Sequence, residues 1–208
     1  MSSIDLFRPF VAPEARSVVS DVLTPDKDGR IYLGQGPIVE RFEFALSTVL
    51  DAETVPVTLN SCTSALDLAL TLCGVGPGDV VISTPMTCSA TNSPIVTKGA
   101  RVAWADVDPL TGLISPASVE RVLDRLLARN VVPKAILAVD WGGRLCDYNA
   151  LRAIRRHHPI PIIEDAAHSI LATYNGRYQT HVGGDYICWS FQAIKHLTTG
   201  DGGAIHCP

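Results

Sequence analysis

From residue 55 onward, short β-branched and aliphatic runs alternate with segments whose apolar positions recur every three or four residues. That rhythm predicts an α/β domain with a mostly parallel sheet flanked by helices. The apolar runs predict strands at 55–59, 80–84, 102–107, 135–139, 160–164, 186–191 and 204–207. The amphipathic stretches predict helices at 64–73, 90–98, 116–129 and 148–157. The third helix has the clearest boundaries: Ser115 and Pro116 supply an N-cap and a first-turn proline, and Val119, Val122, Leu123, Leu126 and Leu127 repeat at helical spacing. Residues 171–179, centred on Tyr174-Asn175-Gly176-Arg177, read as a hairpin turn.

Residues 1–54 form a separate first segment, with helices expected at 13–23 and 39–50 around a turn-rich stretch at 24–36. Within it, Leu33-Gly34-Gln35-Gly36-Pro37 reads either as a loop that approaches a ligand or as a plain connector. Residues 55–208 make up the main domain.

Composition narrows the function classes. The 208 residues are 47% hydrophobic and 18% charged, enough for one sizeable core. A net charge of -4 without a long basic run argues against a nucleic-acid groove or an anionic membrane surface. Small-molecule partners are the remaining default. The six cysteines contain no Cys-x-x-Cys pair, which fits reduced cytosolic thiols better than a zinc knuckle or a disulfide framework. The N-terminus lacks a basic and apolar leader, and no run approaches the ~18 apolar residues of a membrane span, so a soluble cytoplasmic protein is expected. His157-His158, His181 and His206 lack metal-ligand spacing, and no metal is expected. The run Gly74-Val75-Gly76-Pro77-Gly78-Asp79 follows a helix and precedes a strand, the reverse of a dinucleotide loop, and reads as a turn.

Candidate chemistry gathers where parallel strands end. Asn60-Ser61-Cys62-Thr63-Ser64 opens a helix, either as an ordinary cap or as a phosphate site. Asp165 ends an apolar strand, where a carboxylate requires a cation or hydrogen-bond donors. Glu164 points to the opposite side and receives no catalytic role. His168 lies three residues on, as a structural histidine or a group beside a ligand ring. Lys195 follows the apolar run 186–191, sits among Ser190, Thr198 and Thr199, and precedes the Gly200–Gly203 turn, so a buried, deprotonatable amine is expected. A lysine, an acid and a hydroxyl-rich helix start in this order suit pyridoxal phosphate (PLP): the amine condenses with its aldehyde, the acid keeps its ring nitrogen protonated, and the hydroxyls hold its phosphate.

The chain resembles the DegT/DnrJ/EryC1/StrS family of PLP-dependent sugar aminotransferases, of the aspartate-aminotransferase (fold type I) superfamily. The residues that carry the resemblance are Gly34-Gln35-Gly36-Pro37 through Glu43, Thr63-Ser64-Ala65-Leu66, Asp106-Val107-Asp108-Pro109, Glu164-Asp165-Ala166-Ala167-His168, and Ser190-Phe191 followed by Lys195 and Gly200-Asp201-Gly202-Gly203. The resemblance implies the fold type I large domain over 55–208, with Lys195 as Schiff-base lysine and proton shuttle, Asp165 at the pyridine nitrogen and His168 beside the cofactor. Thr63, Ser64 and Ser190 would be phosphate-site residues. It further implies amino transfer from an amino acid, L-glutamate by similarity, to a nucleotide-linked keto-deoxysugar, in a homodimer whose second subunit completes the site. Three departures accompany it. Cys62 replaces a usual glycine, and Cys88 replaces an aromatic that stacks on the cofactor in many members. Family members are also considerably longer, so the rest of the large domain's sheet and the small C-terminal domain would be absent here, with an exposed sheet edge prone to association. The alternatives are a noncatalytic remnant or assembly module of this fold, and the sugar 3-dehydratase branch, which has histidine in place of the lysine; Lys195 falls in the lysine register and His196 is one position off.

Overall fold

The computed structural model describes residues 8–155 and 158–207. Helices α1 (Ala15–Val22) and α2 (Pro37–Val49) precede the sheet-forming part. That part runs β1 (Val57–Leu59), α3 (Cys62–Leu72), β2 (Val80–Ser83), α4 (Ser89–Thr97), β3 (Arg101–Trp104), α5 (Pro116–Leu127), β4 (Ala135–Val139), α6 (Tyr148–Ile154) and β5 (Ile162–Asp165). A two-stranded hairpin, β6 (Thr173–Tyr174) and β7 (Arg177–Tyr178), then leads to α7 (Gln179–Val182), β8 (Tyr186–Ser190) and β9 (Gly203–His206).

Seven strands form one sheet in the order β1-β9-β8-β5-β4-β2-β3. Pairing is parallel from β3 through β2, β4 and β5 to β8, and antiparallel only where β9 meets β8 and β1. Strict alternation along the strands builds the two faces. On β4, Ala135, Leu137 and Val139 join the core under α3 and α4, while Ile136 and Ala138 join the core under α5 and α6. On β8, Ile187 and Trp189 pack with Leu46 of α2 and its C-cap Leu50, whereas Cys188 packs on the α3 side. The same period turns Ile163 toward α3 and Ile162 toward α5 and α6, so Asp165 and Glu164 point to opposite faces.

Local chemistry explains the element ends. The Ser115 side chain accepts from Ser118 N–H at the start of α5, and Pro116 fills its first turn. Helix α3 begins earlier than the predicted 64 because the cap is Ser61, whose oxygen accepts from Ser64 N–H. Strands β1 and β5 start after Pro56 and Pro161, which have no N–H for a ladder. β3 stops at Trp104, short of the predicted 107, with Val107 forming only an isolated bridge to Ile114. The predicted hairpin forms, with Asn175 and Gly176 both at positive φ. The expected glycine-rich turn at 74–79 also forms, closed by Gly76 N–H donating to Asp79. Helix α6 ends at Ile154; residues 156 and 157 of its predicted extension lie outside the described residues. Helix α1 buries none of its residues.

Candidate active site

Loops at the carboxyl ends of four strands line one cavity of about 390 Å³. After β1 come Ser61, Cys62 and Thr63; after β2, Thr87, Cys88 and Thr91; from β5 onward, Asp165, Ala167 and His168; after β8, Ser190, Gln192 and Lys195. Six of the seven residues singled out from the sequence thus meet: Thr63, Cys88, Asp165, His168, Ser190 and Lys195. The seventh, Ser64, lies outside this lining and borders a neighbouring surface crevice, its hydroxyl 3.1 Å from that of Ser61. Ser61 belongs to the hydroxyl-rich helix start read from the sequence, whereas Thr87 and Thr91 are further polar lining residues, in the turn after β2 and in the first turn of α4.

Asp165 ends β5 and is buried. Its Oδ2 accepts from the Thr91 hydroxyl at 2.6 Å, and its Oδ1 accepts from Ala167 N–H at 3.1 Å. The Thr91 proton is used on the carboxylate, so the 2.6 Å contact between Thr87 and Thr91 hydroxyls runs from Thr87 to Thr91. Burial pushes the Asp165 carboxyl upward, and these donors pull it back. The ion pairs among the described residues are Lys98–Asp67, Arg155–Asp185 and His181–Asp51. A structural salt bridge therefore does not account for Asp165.

Lys195 sits in the loop between β8 and β9. Phe191 closes its base, donating N–H to Gly202 and accepting from Thr199 N–H, while Lys195 N–H donates to Gln192. Thr198 and Thr199 turn their hydroxyls to backbone oxygens of Phe191 and Asp201. Contrary to expectation the lysine is only half-buried, in a loop whose neighbouring Ile194 and Leu197 are exposed.

At the other end, Cys62 and Thr63 occupy the first positions of α3, whose N–H groups have no intrahelical acceptor. Gly203 of β9 runs directly over them: a Cβ there would lie 2.5 Å from the Cys62 nitrogen. His168 is half-buried; burial and the nearby Lys195 charge hold its imidazole below the ordinary value.

Residues 17–208 match the DegT/DnrJ/EryC1/StrS aminotransferase family. The spore coat polysaccharide biosynthesis protein SpsC of Bacillus subtilis is 39% identical over 176 residues, covering 84% of this chain and 43% of the relative. The crystal structure of AtS13 from Actinomadura melliaura superposes with a TM-score of 0.83 at 38% identity, covering 99% of this chain and 53% of that one. Spr1654 from Streptococcus pneumoniae, solved in PLP-form and PMP-form, superposes with a TM-score of 0.85 at 27% identity, covering 99% and, for the PLP-form, 53%. The chain thus spans about half the length of these relatives.

Proposed function

The chain belongs to the DegT/DnrJ/EryC1/StrS aminotransferase family, and from that premise we propose that it forms the cofactor-binding half of a PLP-dependent enzyme moving an amino group from L-glutamate to the keto group of a nucleotide-linked deoxysugar. The observation that carries this is the shared cavity of Asp165 and Lys195, in which the buried carboxylate makes no ion pair among the described residues. The donor set suits PLP at each end. A protonated ring nitrogen supplies the cation Asp165 lacks, and the start of α3 with Ser61, Thr63 and Ser190 suits a phosphate.

When bound, PLP supplies an aldehyde that condenses with amines and a ring that takes up an electron pair. The chain's own residues do the rest. Asp165, oriented by Thr91 and Ala167, holds the ring nitrogen protonated. Lys195 Nζ tethers the cofactor and carries the proton off the donor's α-carbon. His168 and Cys88, which line the same cavity, would lie near the ring. A lysine at 195 favours amino transfer over the dehydratase branch. The similarity to SpsC, a spore coat polysaccharide biosynthesis protein, supports a carbohydrate acceptor. Six unpaired cysteines suit the cytoplasm. Exposed Val18, Val19, Leu33 and Phe44 suit a homodimer.

Borohydride reduction of the chain incubated with PLP tests this. Label on the Lys195 peptide, absent in Lys195→Ala, is the expected result; label distributed over other lysines, or none, overturns it. Conversion of bound PLP to pyridoxamine phosphate by L-glutamate tests the donor, and a screen of nucleotide-linked keto sugars tests the acceptor.

A further inference from the structure

Asp140 follows β4 directly, is fully buried, and does not line the cavity. Its N–H donates to the Asp165 carbonyl at 3.1 Å, which locks the two strand ends together. Its Oδ1 accepts from Cys146 N–H and the Tyr148 hydroxyl, each at 2.9 Å. Its Oδ2 accepts from the Ser169 hydroxyl at 2.8 Å. Ser169 is in turn held by Gln179, whose Nε2 donates to Oγ at 2.6 Å. So the carboxylate joins the turn at Trp141–Gly143 to the residue next to His168.

That turn cradles the histidine. Gly142 N–H lies 3.4 Å from His168 Nδ1, and the Trp141 and His168 rings have centroids 5.4 Å apart. A Cβ on Gly143 would come within 2.9 Å of the His168 carbonyl oxygen, so the two segments touch backbone to backbone. A backbone N–H can only donate, which makes Nδ1 the unprotonated nitrogen of the neutral ring and leaves the proton on Nε2.

We propose that Asp140 is a positioning residue: by holding Ser169 and the Trp141–Gly143 turn together, it fixes the orientation of His168 and selects its Nε2–H tautomer. Only the placement of His168 beside PLP rests on the function proposed above; the tautomer is a property of the chain itself. A fixed donor N–H at the cavity wall suits an anionic ring oxygen, which a freely flipping imidazole would meet only part of the time.

The test is ¹⁵N NMR of ring-labelled histidine in the cofactor-free chain. The expected wild-type signature is a single neutral tautomer protonated at Nε2. Ser169→Ala, which cuts the link while leaving both donors on Oδ1 in place, should give a mixture of tautomers and move the His168 titration up toward 6.5, the ordinary value. Asp140→Asn should do the same, since the amide puts a donor where Ser169 and Gln179 need an acceptor. Tyr148→Phe removes a donor on the far oxygen and should leave the signature intact. An Nε2–H signature unchanged in both Ser169→Ala and Asp140→Asn overturns the proposal, as does an equal disturbance by Tyr148→Phe, which would mark a general packing effect. Failure of Lys195 labelling with the tautomer response intact would sink the PLP assignment alone.

Discussion

The sulfur of Cys62 lies 3.9 Å from Oδ1 of Asp165, so the cavity's buried carboxylate has a thiol for a neighbour. Burial and the Asp165 charge push that thiol well above 9.0, and it remains S–H at neutral pH. Cys88, on the same cavity, is exposed. The two cysteines are therefore expected to behave oppositely toward iodoacetamide. Cys88 should alkylate first and PLP should slow it, while Cys62, Cys146 and Cys188 stay unmodified in the native chain. Peptide mass mapping checks this; labelling of Cys62 at the Cys88 rate would contradict the burial.

Asp165 is held above its ordinary 3.8 chiefly by burial. The folded chain thus binds that proton more tightly than the unfolded one, and stability falls as pH rises through the raised value. Asp165→Asn removes this cost. Without cofactor the variant should melt about 2–4 °C above wild type at pH 8, equivalent to about 1 kcal/mol, yet it should bind PLP at least tenfold more weakly. Calorimetry and a fluorescence titration separate the two effects, and an unchanged PLP affinity would remove Asp165 from the site.

Glu164 shows the same sign on the opposite face. It is fully buried, Oε2 accepts from Gly184 N–H at 2.6 Å, and Oε1 has no partner. Burial, then the Asp140 carboxylate nearby, raise it well above 4.5, as befits a neutral acid. Its stabilising protonated state is fully present below 4.5 and is lost as pH rises through the folded value. Glu164→Gln mimics that acid, so its stability should match wild type near pH 5 and exceed it at high pH. Glu164→Ala should lose about 2–4 kcal/mol near pH 5 and less at high pH, where the wild type is itself weakened. Urea melts across pH decide, and a Gln variant that declines with pH as steeply as wild type would refute the assignment.

Gly203→Ala places a methyl against the backbone of Ser61 and Cys62. Either β9 or the first turn of α3 must move, at a cost of about 1–3 kcal/mol. PLP affinity should drop more than the loss of stability implies, because the displaced N–H groups are those proposed to bind the phosphate. Equal PLP affinity in wild type and variant would show that this end of the cavity is not where phosphate binds.

The strand and helix order was legible because the chain obeys period two and period three to four almost without interruption. Strand β4 coincides with its predicted 135–139. Boundaries slipped where proline removed a ladder donor, at Pro56 and Pro161. Helix α7 was invisible because Gln179-Thr180-His181-Val182 has no apolar repeat; it is held by tertiary bonds, among them Trp189 Nε1 donating to Gln179 at 3.3 Å. Asp165 and Lys195 could be read from their strand-end settings. Asp140 could not, since the groups that bond its carboxylate arrive from residues 146, 148, 169 and 179. The exposure of Lys195 depends on how the 191–202 loop folds back, which no local pattern encodes.

β1 is an edge strand whose neighbour in the sheet is β9. The first strand of the sheet is thus anchored by the last, the farthest-separated pairing in the fold, and such contacts form slowly. The first turn of α3 is covered only when Gly203 of β9 joins the sheet, so the end of the cavity that rests on that turn forms only after this long-range pairing.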